Sequence, residues 1–264
     1  MSVVEVNDKR AIAEFCRRRP GVHAYALGDL DDFFWPHTRW WAWAPDGTIE
    51  QLALAYDEPD PPVLLAIAET PAETMLALLR ALSPLLPPHL YTHVTPGCLP
   101  GLTVARSLVG EALPHYKLSL DANALPPADD RERDADMRLL TPDELGEVER
   151  FYARAYPGTW FHARMLETRR YLGLREHGEL VSVAGVHVYS PTWGAAALGN
   201  VATVPAARGR GYGRLVCLAL CRLLAADGIS TISLNVKADN RAALSVYESL
   251  GFTKVADYLE ATLR

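Results

Sequence analysis

The sequence predicts an α/β chain of the mixed-sheet, α+β kind, built from two successive copies of one element order, βααβββαβαβ. Three observations carry that prediction. A strand-like run, Ala195 to Val204, meets a helix-like run, Arg214 to Ala226, through the glycine-rich loop Arg208-Gly209-Arg210-Gly211-Tyr212-Gly213. A similar succession of strands and helices can be read before residue 120 and after residue 135. Between the two copies, Asp121 to Asp134 is charged, bears prolines and lacks apolar periodicity, which reads as an interdomain linker.

In the first copy, Ser2 to Val6 is a short strand, and Asn7 or Asp8 can cap a helix that runs to about Arg18. A second helical piece covers Val22 to Leu30. Three strand-like runs follow, His37 to Ala44, Ile49 to Tyr56 and Pro62 to Ala68, with Asp46-Gly47 supplying the hairpin turn between the first two. Ala72 to Leu82 reads as helix, Leu90 to Val94 as strand, Leu99 to Val109 as helix and His115 to Leu120 as strand. Trp35, Trp40, Trp41 and Trp43 cluster with Phe33 and Phe34. Strand alternation sends Trp41 and Trp43 to one face and Trp40 to the other. The cluster reads either as core and interdomain packing or as an aromatic wall facing a ligand across the junction.

In the second copy, Tyr152, Tyr156, Trp160 and Phe161 gather at the end of the first helix. Glu176 and Glu179 flank a hairpin turn at His177-Gly178 as solvated carboxylates, and the strand ELVSVAGVHVYS follows. Ala195 to Val204 is apolar and β-branched enough for a buried strand, and Pro205 ends its ladder by removing a donor. After the loop and its leucine-rich helix come a strand, Ile229 to Val236, and a short helix, Asn240 to Leu250, closed by Gly251.

The loop is where chemistry becomes readable. A helix N-terminus carries unpaired N–H groups and about half a positive charge, and a glycine-rich approach exposes that backbone to a phosphate. Arg208, Arg210 and Arg214 add side-chain charge. A dinucleotide fingerprint, GxGxxG, fails by one position after Gly209 and Gly211, and a Walker A loop lacks its lysine and hydroxyl. The pattern that fits is (Q/R)xxGx(G/A), with Arg208, Gly211 and Gly213 in its fixed places. Downstream, Asn240, Ala243, Tyr247, Leu250, Gly251 and Phe252 match N..A...Y..LGF. Together the two patterns resemble the GNAT superfamily of N-acetyltransferases.

That resemblance implies an acyl-CoA-dependent N-acetyltransferase, with acetyl-CoA as co-substrate and no metal, in which an amine attacks the thioester directly in a ternary complex. Backbone N–H groups of Gly209, Arg210, Gly211, Tyr212, Gly213 and Arg214, beside Arg208, would hold the pyrophosphate. Val201, Ala202 and Thr203 would pair with the pantetheine arm, and the amide of that strand would polarise the thioester carbonyl. Asn235 would sit where the sheet opens. Asn240, Ala243 and Tyr247, at i, i+3 and i+7, would line one helix face along which the ligand lies. Tyr247 resembles the family's general acid. Many members carry a glutamate about eleven residues before the motif arginine, but here that residue is Ala197. The base would then be His187, or a water relayed through His187 and Tyr189. The missing glutamate also leaves room for a catalytically silent acetyl-CoA-binding sensor.

At 264 residues the chain is about twice what one such domain needs. The resemblance covers Asp136 to Arg264, so the expected division is a GNAT-like domain at 1–120, a linker at 121–135 and a catalytic domain at 136–264. In the first half the loop position holds Ala68 to Glu73, without glycine and with two carboxylates, so that half is expected to be degenerate and not to bind coenzyme A. Family relatives with such a half suggest that it supports the active half or shapes its acceptor site.

Composition sets limits. With 49% hydrophobic and 22% charged residues the chain can bury two cores. No apolar run reaches a membrane span and the first residues lack a signal-peptide core, so the expected setting is cytoplasmic. A net charge of −6 disfavours nucleic acid and favours a cationic small-molecule or peptide amine acceptor, met by a monomer or homodimer. Cys217 and Cys221, one turn apart, read as small core residues. His89 and His93 have a metal-pair spacing, but the prolines before them argue for strand rather than helix.

Overall fold

A computed structural model describes residues 2–128 and 130–264; Met1 and Asp129, the latter within the expected linker, lie outside the described residues. The first half runs β1 (Val3–Glu5), α1 (Lys9–Cys16), α2 (Ala24–Asp29), β2 (Thr38–Trp43), β3 (Gln51–Tyr56), β4 (Val63–Ala66), α3 (Ala72–Leu82), β5 (Leu90–Val94) and β6 (Leu108–Asp121). After the short α4 (Arg131–Asp134) come β7 (Asp136–Leu139), α5 (Leu145–Ala155), β8 (Leu172–Glu176), β9 (Glu179–Ser190) and β10 (Ala195–Thr203). The chain finishes with α6 (Tyr212–Ala226), β11 (Thr231–Lys237), α7 (Arg241–Ser249) and β12 (Thr253–Leu263).

Among the described residues the strands form one mixed sheet, ordered β1-β2-β3-β4-β5-β12-β6-β11-β10-β9-β8-β7. Its middle joins the halves by exchange. The first half's last strand, β6, lies against β11 from His115/Lys237 to Asp121/Thr231, while the second half's last strand, β12, lies against β5 from Leu259/Val94 to Leu263/Leu90. β6 and β12 pair with each other between these two contacts.

Strand alternation divides the side chains between two faces. Trp41, Ala53 and Ala55 pack under α3, while Trp40, Leu52 and Leu54 pack under α1 and α2. Trp40 and Trp41 are therefore core residues, and Trp43 joins Trp41 on its face. It is Phe33 and Phe34 that reach the other half, against Val188 and Ala197. In the second half Leu198, Ile232 and Leu234 lie under α6 and α7. Cys217 and Cys221 are buried in that core as free thiols.

Two local expectations are corrected, and a third stretch gains contacts. Leu99 to Val109 is not a helix, because Pro100 and Gly101 limit it to a 3-10 turn over Pro96–Gly101, and β6 already begins at Leu108. In the second half, the place of α2 is taken by a 3-10 turn, Ala163–Thr168. The charged stretch after β6 lies against α6, where Arg222 donates to Pro126 O at 2.6 Å and pairs with Glu132 at 3.2 Å.

The Ala68 to Glu73 segment is sealed by its own neighbours. Ala68 N–H donates to Thr95 Oγ1, and Glu69 N–H donates to Gln51 Oε1. Gln51 Nε2 donates in turn to the carbonyls of Glu69 and Pro71, and the Glu69 carboxylate is held by Arg19 and His23.

Candidate active site

β10 and β11 run parallel and stay paired only from Ala195/Thr231 to Leu198/Leu234. Beyond Leu198, β10 follows β9, with a register break between Gly199 and Ala202 that leaves Asn200 and Val201 outside the β9 ladder. Asn200 adopts φ +54°, a left-handed conformation that a side chain disfavours but asparagine tolerates better than most. The conformation is pinned from outside. Tyr152 Oη donates to Asn200 O at 2.8 Å, Asn200 Nδ2 donates to Tyr171 Oη at 2.9 Å, and Thr159 Oγ1 donates to Asn200 Oδ1 at 3.1 Å. The result is an open seam between the two strands. Val201, Ala202 and Thr203 edge it on one side, and Asn235, the first β11 residue past the last pair, stands on the other.

The chain then turns through a 3-10 segment, Pro205–Ala207, and the glycine loop into α6. Gly209 and Gly211 have φ +78° and +80°, which a Cβ would strain. Gly211 occupies the N-cap position without any side-chain cap, so the first-turn N–H groups of Tyr212, Gly213 and Arg214 have no intrahelical acceptor. Of the arginines expected to add charge, Arg208 is a brace. It donates to Thr203 O and Ala155 O, both at 3.1 Å, and so ties the loop to the ends of β10 and α5. Arg210 pairs with Glu176 at 2.9 Å, and Tyr212 Oη donates to the same carboxylate, so Glu176 anchors the loop rather than standing solvated.

At the far side of α6, Asn240 caps α7 by accepting from Ala243 N–H at 3.1 Å. The Asn240 oxygen thus serves the helix as its N-cap. Tyr247 is 7% exposed, with its ring edge-on to Phe252 at 5.8 Å, and burial pushes its phenol well above the ordinary value. His187 stacks between Trp160 at 5.9 Å and Tyr25 of α2 at 6.3 Å. Burial lowers its imidazole to about 4, so it is neutral near pH 7 and a weak base. The Tyr189 hydroxyl accepts from Arg170, whose guanidinium also pairs with Asp227.

Opposite α6, the sheet face toward α2 carries a buried polar group that periodicity did not single out. Lys117 of β6 donates to Asn235 Oδ1 at 3.0 Å and lies 4.2 Å from the centre of the Tyr25 ring. Burial lowers its ammonium to about 7, against the pull of Glu260 and Asp29. Glu260 of β12 accepts from Tyr91 and Tyr258 and stands 3.3 to 3.4 Å from His115 and His93. The sequence signal was present but faint: His115, Lys117 and Ser119 are polar residues at alternate positions of β6, hence on one face.

The comparisons agree with this geometry. The acetyltransferase (GNAT) family model matches residues 136–252, which span the seam, the loop and α7. A [ribosomal protein bS18]-alanine N-acetyltransferase from Salmonella typhimurium is 30% identical over 128 residues, covering 48% of this chain and 82% of that protein. The chain belongs to the GNAT acetyltransferase family. A mycothiol acetyltransferase from Amycolatopsis mediterranei is 44% identical over 85 residues, covering 30% of this chain and 28% of the relative. Across three such relatives the chain spans only 17% to 48% of their own length. A tandem GNAT protein from the clavulanic acid biosynthesis pathway, 17% identical, covers 98% of both chains with a TM-score of 0.55 and so shares the two-domain fold.

Proposed function

We propose that this chain is an acyl-CoA-dependent N-acetyltransferase, using acetyl-CoA and a small-molecule or peptide amine, with its one coenzyme A site in the second half. The observation that carries the reading is the uncapped N-terminus of α6, approached through two left-handed glycines and set at the mouth of the seam between β10 and β11. A pyrophosphate fits a set of convergent N–H groups at a helix N-terminus, beside which the Arg131 guanidinium also lies, donating to Arg210 O at 3.3 Å. Val201, outside the β9 ladder and past the last β10–β11 pair, offers strand backbone to an extended amide-bearing arm, with Ala202 and Thr203 continuing the same edge, and an N–H there can stabilise the oxyanion formed when the amine attacks. Tyr247, on α7, is the proton donor to the departing thiolate. Phenol and thiol pKa values of about 10 and 8.5 make that transfer uphill in water, so its value depends on the enclosed setting.

We assign residues 1–120 to a degenerate domain, 121–135 to the connection and 136–264 to the catalytic domain. Gln51 and Thr95 occupy the N–H groups of Ala68 and Glu69, and two carboxylates stand where pyrophosphate would lie, which supports a first half without coenzyme A. Its α2 instead covers the acceptor side of the second half. By their names the relatives are mycothiol and ribosomal-protein acetyltransferases; for this chain the acceptor class is an amine, which Trp160, His187 and Tyr25 would meet as an aromatic wall.

Thiol release from acetyl-CoA, measured against a panel of alkylamines, amino acids and peptides, tests the reading. Amine-dependent release is expected. Tight acetyl-CoA binding with no release for any acceptor would instead favour a sensor.

A further inference from the structure

β10 carries alanine at position 197, and the first half of the chain packs against it. Ala197 faces α2, in a cluster with Phe34 and Val188 and with Tyr25, Phe33 and Tyr56 packed around it. Helix α2 comes so close that a Cβ on Gly28 would lie 2.5 Å from the Val188 side chain, and Val188 is the registered partner of Ala197. The next residue is Asp29. It is 3% exposed, and among the described residues no donor reaches its carboxylate within hydrogen-bond distance. No fully occluded side-chain oxygen or nitrogen among the described residues lacks a partner, so these unpartnered oxygens face space that water can enter. A buried carboxylate without a donor is costly and rare unless a ligand supplies one.

We propose that Asp29 receives the acceptor ammonium and takes its proton. The inference rests on the acetyltransferase reading above. The ammonium gives one proton to the Asp29 carboxylate, and the freed amine forms a C–N bond to the acetyl carbonyl. The C–S bond then breaks. Tyr247 protonates the departing thiolate, the nitrogen's second proton passes through water to the resulting phenolate, and Asp29 releases the first proton to solvent, so one amide, one thiol and one proton result. Burial raises the Asp29 carboxyl well above its ordinary value, with Lys117 opposing, which brings it toward the range where a general base is effective. The groups that face it are Lys117 of β6, Tyr25 of α2 and Tyr56 of β3, with Glu260 and His187 in turn near Tyr25 and Asp31 held by Ser190.

The test is the pH profile of kcat/KM for the alkylamine that wild-type protein turns over fastest, compared with Asp29→Asn and Asp29→Glu. Asp29→Asn should lose about 100-fold or more at pH 7, with acetyl-CoA affinity unchanged. Its remaining activity should climb about tenfold per pH unit toward the amine's own pKa, because solution must now supply the free amine. Asp29→Glu should recover part of the loss, and if the asparagine variant does not fold, the glutamate variant alone must still show an altered acid limb. An unaltered profile in either variant, or a loss equal at every pH, overturns the proposal. If wild-type protein acetylates no amine, the acetyltransferase reading fails and this inference falls with it.

Discussion

Lys117 Nζ donates to Asn235 Oδ1 at 3.0 Å across the β6–β11 pair, so the residue at the open end of the seam is held by a cation from the other half of the chain. The site is thereby tied to a strand that lies outside residues 136–252, the part matched by the GNAT family model. A buried ammonium is an expensive way to hold an asparagine, and its cost depends on pH.

Lys117 titrates near 7 when folded, and near 10.4 as a free side chain. Between those values the unfolded chain keeps a proton that the folded chain has shed, so this residue makes stability rise with pH, by at most about 1.4 kcal/mol per unit. Lys117→Met removes that slope. Urea unfolding at pH 7 and pH 9 should show wild type gaining on the variant at the higher pH; parallel behaviour would contradict the burial of a titrating lysine.

Asn200 should matter to both shape and turnover. Asn200→Gly keeps access to positive φ but deletes the hydrogen bonds to Tyr171 and Thr159, so it should cost about 1–3 kcal/mol of stability and raise the KM for acetyl-CoA. Asn200→Ala deletes the same bonds and adds strain at φ +54°, so its melting temperature should fall further. Equal melting temperatures for the two would mean that the backbone there relaxes.

Tyr247→Phe is expected to lower kcat by about 100-fold while acetyl-CoA affinity stays within twofold of wild type, as loss of a general acid requires. Calorimetric binding beside steady-state kinetics separates the two effects. A variant that binds weakly but turns over normally would make Tyr247 a packing residue.

Local pattern made much of this molecule legible. Ala72–Leu82 and Leu90–Val94 were readable in type and approximate place, since each carries one clear period and ends at a breaker. The glycine loop was readable because left-handed backbone demands glycine. Leu99 to Val109 misled because its leucines suggest a helix while Pro100 forbids one, and β6 owes its length to pairing with β11 and β12. Asp29 was invisible for a related reason: an aspartate ending a short helix looks solvated, and only the crossing of α2 over β9 and β10 buries it. Arg208 and Asn240 stood in motif positions, yet a motif does not say which atoms a side chain will bond.

The account's central claim is a single coenzyme A site at the N-terminus of α6. Titration calorimetry with acetyl-CoA tests it most directly, using wild type and Gly211→Glu, which strains the φ +80° cap and sets a carboxylate against the pyrophosphate. One acetyl-CoA per wild-type chain and no measurable binding to folded Gly211→Glu is the predicted result. Two per chain, or one retained by the variant at unchanged affinity, would contradict it.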